Sequence, residues 1–173
     1  MPSINLPTWI TLIRLAGVPL IFLSLGTFEA RQRWIAVVIF LGVAATDWLD
    51  GYLARRLNQV TELGKFLDPL VDKLLVMAPL LVLVAQGLVP AWGVFVILGR
   101  ELAIAGWRVN QTTITGANLW GKLKTVTQII AIALLLAPLP DPVPRVAQGA
   151  FFLALVMTIA SGFIYVMPRS TAD

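Results

Sequence analysis

The sequence predicts an all-α, polytopic integral membrane protein with six transmembrane helices, and three observations carry that prediction. Hydrophobic residues make up 58% of the 173 positions and charged residues 13%, with a mean hydropathy of +0.87; so few polar groups cannot cover a water-facing globule of this size. The apolar runs are long and continuous, whereas barrel strands would alternate over short segments. Proline, glycine and short polar clusters divide those runs into six. A single domain over residues 1–173 is expected, without repeats or low-complexity segments.

The first span runs from Thr8 to Leu25, after Asn5-Leu6-Pro7-Thr8, which offers capping side chains and a proline where a helix can begin. It holds one charge, Arg14, and Pro19 lies inside it, a position that membrane helices tolerate better than soluble ones. No basic segment precedes this run and no small-residue cleavage site follows it, so a retained span is expected rather than a signal peptide. Gly26 to Arg33 forms a polar connection, and Trp34 opens span two, which continues to about Ala54. Thr61 and Glu62 supply an N-cap and a first-turn acid for span three, which reaches about Val84. The uncharged turn Gln86-Gly87-Leu88-Val89-Pro90 leads to span four, Ala91 to about Val109. Span five covers about Leu119 to Ala137, a proline-rich connection follows from Pro138 to Pro144, and span six covers roughly Val146 to Met167.

Six spans put both termini on one side. The 2–3 and 4–5 connections and their flanks carry Arg55, Arg56, Lys65, Arg108, Lys122 and Lys124, and the tail adds Arg169; the opposite side has Arg31, Arg33 and Arg145. The positive-inside rule then directs the termini and the first group to the cytoplasm, in a cytoplasmic membrane. The formal net charge of +4 points to anionic lipid or phosphate partners and not to nucleic acid. With no Cys and no His, thiolate chemistry is excluded, and any general base must be a carboxylate, Lys, Tyr or water.

The chemistry concentrates between Asp47 and Asp72. Asp47, Asp50 and Ala54 stack on one helical face at the end of span two, and Gly64, Asp68 and Asp72 do the same on span three. The short connection makes these helices antiparallel neighbours, so the two acidic faces can converge near the cytoplasmic boundary. An aspartate at the centre of a membrane helix costs roughly 2.5–3.5 kcal/mol, less near the boundary, and mutual repulsion adds to that. Divalent cations would compensate it: oxygen ligands suit Mg²⁺, Mn²⁺ or Ca²⁺, and four carboxylates can hold two ions that clamp a phosphoryl group. Gly51, Ala54 and Gly64 fall among the acids, where small side chains serve close helix packing or leave room for a nucleotide against the backbone.

The pattern Asp47-x-x-Asp50-Gly51-x-x-Ala54-Arg55, eight residues, then Gly64-x-x-x-Asp68-x-x-x-Asp72 resembles the CDP-alcohol phosphotransferase motif at every fixed position. The opening NLPTWITLIR, Gly99-Arg100-Glu101 and the GKLKT of Gly121 to Thr125 look like the phosphatidylglycerophosphate synthase branch of that family. The resemblance implies transfer of a phosphatidyl group from CDP-diacylglycerol to an alcohol with release of CMP, by a homodimer of six-helix protomers using Mg²⁺ or Mn²⁺, with two ions. It implies that Asp47, Asp50 and Asp68 ligate metal, that Asp72 is the base and shares in ligation, and that Gly51, Ala54, Arg55 and Gly64 hold the cytidine diphosphate.

A second group of charges bears on the acceptor. Arg100 and Glu101 lie near the middle of span four, too deep for snorkelling to be comfortable, while Arg108, Lys122 and Lys124 approach the cytoplasmic boundary, where setting topology is an equal reading. Together Arg100, Arg108, Lys122 and Lys124 are expected to bind an acceptor phosphate, which favours sn-glycerol 3-phosphate over neutral alcohols. Glu101 can simply pair with an arginine. Asn5, Thr8 and Arg14 are candidates for the donor head group, with helix capping and snorkelling as the plainer alternative. Trp9, Trp34, Trp92 and Trp120 read as interface anchors. Two other acceptor choices within the family, a cardiolipin synthase or a phosphatidylinositol phosphate synthase, keep the same acidic motif. A divalent-cation transporter is the alternative of another class, and it predicts acids along the whole membrane depth rather than near one side.

Overall fold

The computed structural model describes residues 6–57, 62–109 and 119–166, with side chains over 11–46, 67, 69–106 and 121–163. Six α-helices and no strand occur among the described residues: α1 (Leu6–Ser24), α2 (Ala30–Leu57), α3 (Glu62–Ala85), α4 (Ala91–Val109), α5 (Leu119–Leu136) and α6 (Val143–Val166). The six expected spans are therefore six helices, and α4 has the expected limits. Three begin earlier than the hydropathy pattern suggests, α1 by two residues, at Leu6. α2 starts at Ala30 because Thr27 and Gln32 close its first turn: the Thr27 amide donates to Gln32 Oε1 at 3.3 Å and the Thr27 hydroxyl bonds the same oxygen. α6 starts at Val143 and takes Pro144 into its first turn, where a missing N–H costs nothing. At its other end α2 runs through Arg55 and Arg56 to Leu57, so charged residues assigned to a connection are helical.

α1 packs against both α2 and α3, α5 pairs most extensively with α6, and α4 rests on α6 and α3. α5 also touches α2 and α3, which closes the bundle. The core draws on every helix, with Val18 and Ile21, Phe40, Leu75 and Leu83, Ile97, Ile132 and Leu136, and Phe151 and Leu155 all buried. Small residues set two of the close approaches. A Cβ on Gly17 would lie 2.7 Å from Val43 Cγ2, and one on Gly93 would lie 3.0 Å from the Phe151 ring.

The turn between α3 and α4 has a glycine for a specific reason. Gly87 takes φ +70°, its amide donates to Val84 O at 2.9 Å, and the Leu88 amide donates to Leu83 O at 2.9 Å, the two bonds of a Schellman cap. The α5 terminus is closed by another chain segment. Arg33 donates from Nε to Leu136 O at 2.8 Å and from Nη2 to Leu135 O and Ala137 O at 3.1 Å each, with its guanidinium 4.6 Å from the Phe28 ring centre.

The outer surface is apolar on all six helices. Ile13 and Leu23, Val38, Leu81, Phe95 and Leu102, Val126, and Val156 and Phe163 are exposed large hydrophobics, as are Trp34 and Trp92 near helix starts. Among the described residues one helical segment, Val143–Phe163, is long and apolar enough to cross a membrane by length and composition.

Arg33 makes a forked cap and Arg31, in the same turn, is exposed. Arg33→Ala is expected to lower stability by about 2 kcal/mol, within the range for hydrogen bonds from a charged group. Arg31→Ala should stay within about 0.5 kcal/mol of the parent. Thermal unfolding of the detergent-solubilised protein would check both.

Candidate functional site

Asp47, Asp50, Gly51, Ala54 and Arg55 lie in the second half of α2, and Gly64, Asp68 and Asp72 in the first half of α3. Both segments are uninterrupted helix, the backbone state that the expected i, i+3 and i, i+4 spacings require. Pro69 lies inside α3 between the last two aspartates without ending the helix. Of this group, Asp72 has a described side chain. Those of Asp47, Asp50, Arg55 and Asp68 lie outside the described side chains, as do those of Thr8 and Arg108, and Asn5 lies outside the described residues.

Asp72 is held by an arginine from another helix. Arg14 Nη1 donates to Asp72 Oδ1 at 3.0 Å, joining α1 to α3 across 58 residues of sequence. The two partners differ sharply in exposure: the Arg14 side chain is 2% exposed and that of Asp72 is 47% exposed. Thr11, one turn before Arg14 on α1, is buried as well. A guanidinium sealed among apolar helices requires compensation. Asp72 provides it while keeping an open side.

A second polar cluster joins α4, α5 and α6. Glu101 Oε1 accepts from Arg100 Nη1 at 3.1 Å and also from Lys124 Nζ. Arg100 Nη2 donates to Ser161 Oγ at 3.0 Å, and Ser161 Oγ donates to Thr158 O at 2.9 Å. Gln128 Nε2 donates to Thr158 Oγ1 at 2.9 Å, which extends the network toward the core. Lys124, Gln128, Thr158 and Ser161 are all buried. Arg100 Nε is buried without a hydrogen-bond partner among the described residues. The arginine lies over Gly162, with Cγ and Nε 3.4 Å from where a Cβ on that glycine would sit, so a larger residue there would press on its stem.

The structure thus brings Arg100 and Lys124 together at Glu101 and separates them from Lys122, which is exposed. Two residues along a helix is a turn of about 200°, so Lys122 and Lys124 cannot share a face. Sequence reasoning paired Glu101 with an arginine but did not see its second cation. It also did not see the Arg14 to Asp72 link, or the Gln128, Thr158 and Ser161 chain. Polar side chains inside long apolar runs were the available signal for the latter three.

The family model for CDP-alcohol phosphatidyltransferase matches residues 4–160. A CDP-diacylglycerol–glycerol-3-phosphate 3-phosphatidyltransferase of Bacillus subtilis (strain 168) is 43% identical, covering 93% of this chain and 93% of its own length. The enzyme of the same name from Sodalis glossinidius (strain morsitans) is 35% identical, covering 94% of this chain and 93% of its own. A cardiolipin synthase (CMP-forming) of Oryza sativa subsp. japonica is 39% identical over 85% of this chain and 49% of its own length.

Glu101 is shared by two neighbouring cations, so Glu101→Gln should remove the carboxylate that holds Arg100 and Lys124 together. The expected loss is about 2–3 kcal/mol, below the full cost of breaking a completely buried pair because the cluster is not completely sealed. Glu101→Asp should recover part of it. A thermal midpoint for E101Q equal to that of the parent would remove the cluster from the list of stabilising contacts.

Proposed function

The chain belongs to the CDP-alcohol phosphatidyltransferase family, and from that premise we propose that it transfers the phosphatidyl group of CDP-diacylglycerol to sn-glycerol 3-phosphate, giving phosphatidylglycerophosphate and CMP. The observation that carries the reading is the eight-residue signature from Asp47 to Asp72, complete and lying in helical register on α2 and α3. Relatives named for this reaction that match nearly the whole chain support the choice of acceptor.

The acceptor hydroxyl attacks the phosphorus that bears the diacylglycerol. An O–P bond forms, the P–O bond to CMP breaks, and the hydroxyl proton passes to the Asp72 carboxylate, which has an exposed side from which to take it. Asp47, Asp50 and Asp68, with Asp72 sharing, form an all-oxygen donor set that fits a pair of Mg²⁺ or Mn²⁺ ions. Bound there, divalent ions supply neutralisation of the diphosphate and of the departing CMP. Gly51, Ala54 and Gly64 leave space for the nucleotide, Arg55 forks onto a phosphate, and Asn5 and Thr8 flank the donor head group. Arg100 and Lys124, held together by Glu101, receive the acceptor phosphate, and Arg108 and the exposed Lys122 draw the anion toward them from outside that pair.

We read the protein as a multi-pass protein of the cytoplasmic membrane, acting as a homodimer with its site toward the cytoplasm. The apolar exterior of all six helices supports a lipid surrounding, since exposed hydrophobic surface of that extent is unfavourable in water. The match to a cardiolipin synthase keeps phosphatidylglycerol as the second acceptor to test.

Purified protein supplied with CDP-diacylglycerol and, separately, sn-glycerol 3-phosphate, phosphatidylglycerol and inositol phosphate should release CMP with the first. Preferential turnover of either other acceptor would overturn the assignment. Asp72→Asn should lower kcat by at least about 100-fold, the scale of a lost general base. Arg108→Gln and Lys122→Gln should each raise the KM for glycerol phosphate by about 10-fold or more, the lower bound for a hydrogen bond to a charged group. An unchanged KM in both would remove the cations from the acceptor site. Because the chain has no cysteine, Gln59→Cys and Gln86→Cys can report topology. A membrane-impermeant maleimide should reach the first from the cytoplasmic side and the second from the other.

A further inference from the structure

We infer that Arg14 is a positioning residue for the transfer step, acting through Asp72, which it holds by one oxygen in a fixed direction. The inference rests on the reading of Asp72 as the acceptor's base. It adds a role for an α1 residue that the signature on α2 and α3 does not contain.

Three observations carry it. The first is geometric: Arg14 Nη1 lies 3.0 Å from Asp72 Oδ1, and no hydrogen bond within α3 can substitute for a contact that comes from α1. The second is the asymmetry of burial. With its side chain 2% exposed, Arg14 is enclosed by protein, whereas the Asp72 side chain is 47% exposed. A ligand arriving from outside meets the carboxylate and not the guanidinium, which favours a positional role over contact with the donor head group. The third is energetic. Replacing a buried ion pair by apolar side chains of similar volume is often neutral or stabilising, so fold stability gives little reason to seal an arginine inside an apolar bundle.

A carboxylate on a helix surface can rotate about two torsions. A base must sit within hydrogen-bond reach of the proton it takes, and a displacement of about 1 Å can cost about 100-fold in rate. A rigid planar donor anchored in α1 removes that freedom from one oxygen of Asp72. α1 packs tightly along α3, so the anchor is itself fixed. Thr11, buried one turn away on the same helix, extends the polar face that α1 presents there.

The test compares Arg14→Met, Arg14→Lys and Arg14→Gln in the full-length protein, with CDP-diacylglycerol and glycerol phosphate varied independently. Arg14→Met is expected to keep the parent thermal midpoint within a few degrees, to lose about 100-fold in kcat, and to leave both KM values within about twofold. Arg14→Lys should recover at least a tenfold part of the lost kcat, because it restores charge at Asp72 without the fork. In an Asp72→Asn background, adding Arg14→Met should slow the residual reaction no further, since a residue that acts through Asp72 has nothing left to position. A kcat for R14M within threefold of the parent would overturn the inference. So would a loss confined to the donor KM, which would make Arg14 a head-group ligand, or multiplicative effects of R14M and D72N. Loss of the folded state in all three variants would make Arg14 structural and likewise overturn it. Full activity in D72N alone would instead remove Asp72 as the base, so that the failure of that reading is distinguishable from the failure of this one.

Discussion

A charge enclosed by apolar helices has to be matched by another, and the contact between Arg14 and Asp72 is where that requirement shapes this protein most. It joins α1 to the last acid of the signature, on α3, through a 3.0 Å hydrogen bond. The hydrophobic contacts of α1 with α2 and α3 are non-directional and would tolerate sliding or rotation. An ion pair is directional, and movement of either helix would pull a buried cation away from the acid it faces. The packing of α1 and the direction of Asp72 are therefore one constraint.

The same rule recurs at the α4, α5 and α6 contact, with a different outcome. Glu101 serves two cations, and Arg100 continues to Ser161, so the polar network spans three helices rather than two. In that arrangement Arg100 Nε has no hydrogen-bond partner among the described residues. At the far end of the bundle Arg33 is used in a third way, against the carbonyls that end α5. One cation orients an acid, two are organised around an acid, and one closes a helix. Each satisfies the cost of removing charge from water, and each leaves a different surface available for chemistry.

Among the described side chains, large apolar residues face outward on every helix while Arg14 and the cluster around Lys124 are buried within the bundle. This inverts the usual arrangement of a water-soluble bundle and matches a protein whose donor is a lipid and whose acceptor is water-soluble. The Asp72 side chain, 47% exposed, is the polar group of the described signature that remains open at the surface.

Composition and periodicity alone determined the helical class, the number of helices and most of their limits, because apolar runs of this length separated by proline, glycine and polar clusters have few other solutions. The signature from Asp47 to Asp72 was legible for the same reason: helical spacing is a local property, and the residues it requires are written in order along two adjacent segments. The early starts of α2 and α6 were not legible in hydropathy, since a side-chain cap at Thr27 and Gln32 and a first-turn proline extend a helix without adding apolar residues. The partners of the charges were decided only by tertiary structure. Nothing in the order of residues distinguishes Arg14 from an arginine that reaches for a head group, or Lys124 from Lys122 two positions away. Burial separates them, because a cation inside the bundle must find an acid on another helix, and which acid it finds depends on how α1, α3, α4 and α5 pack.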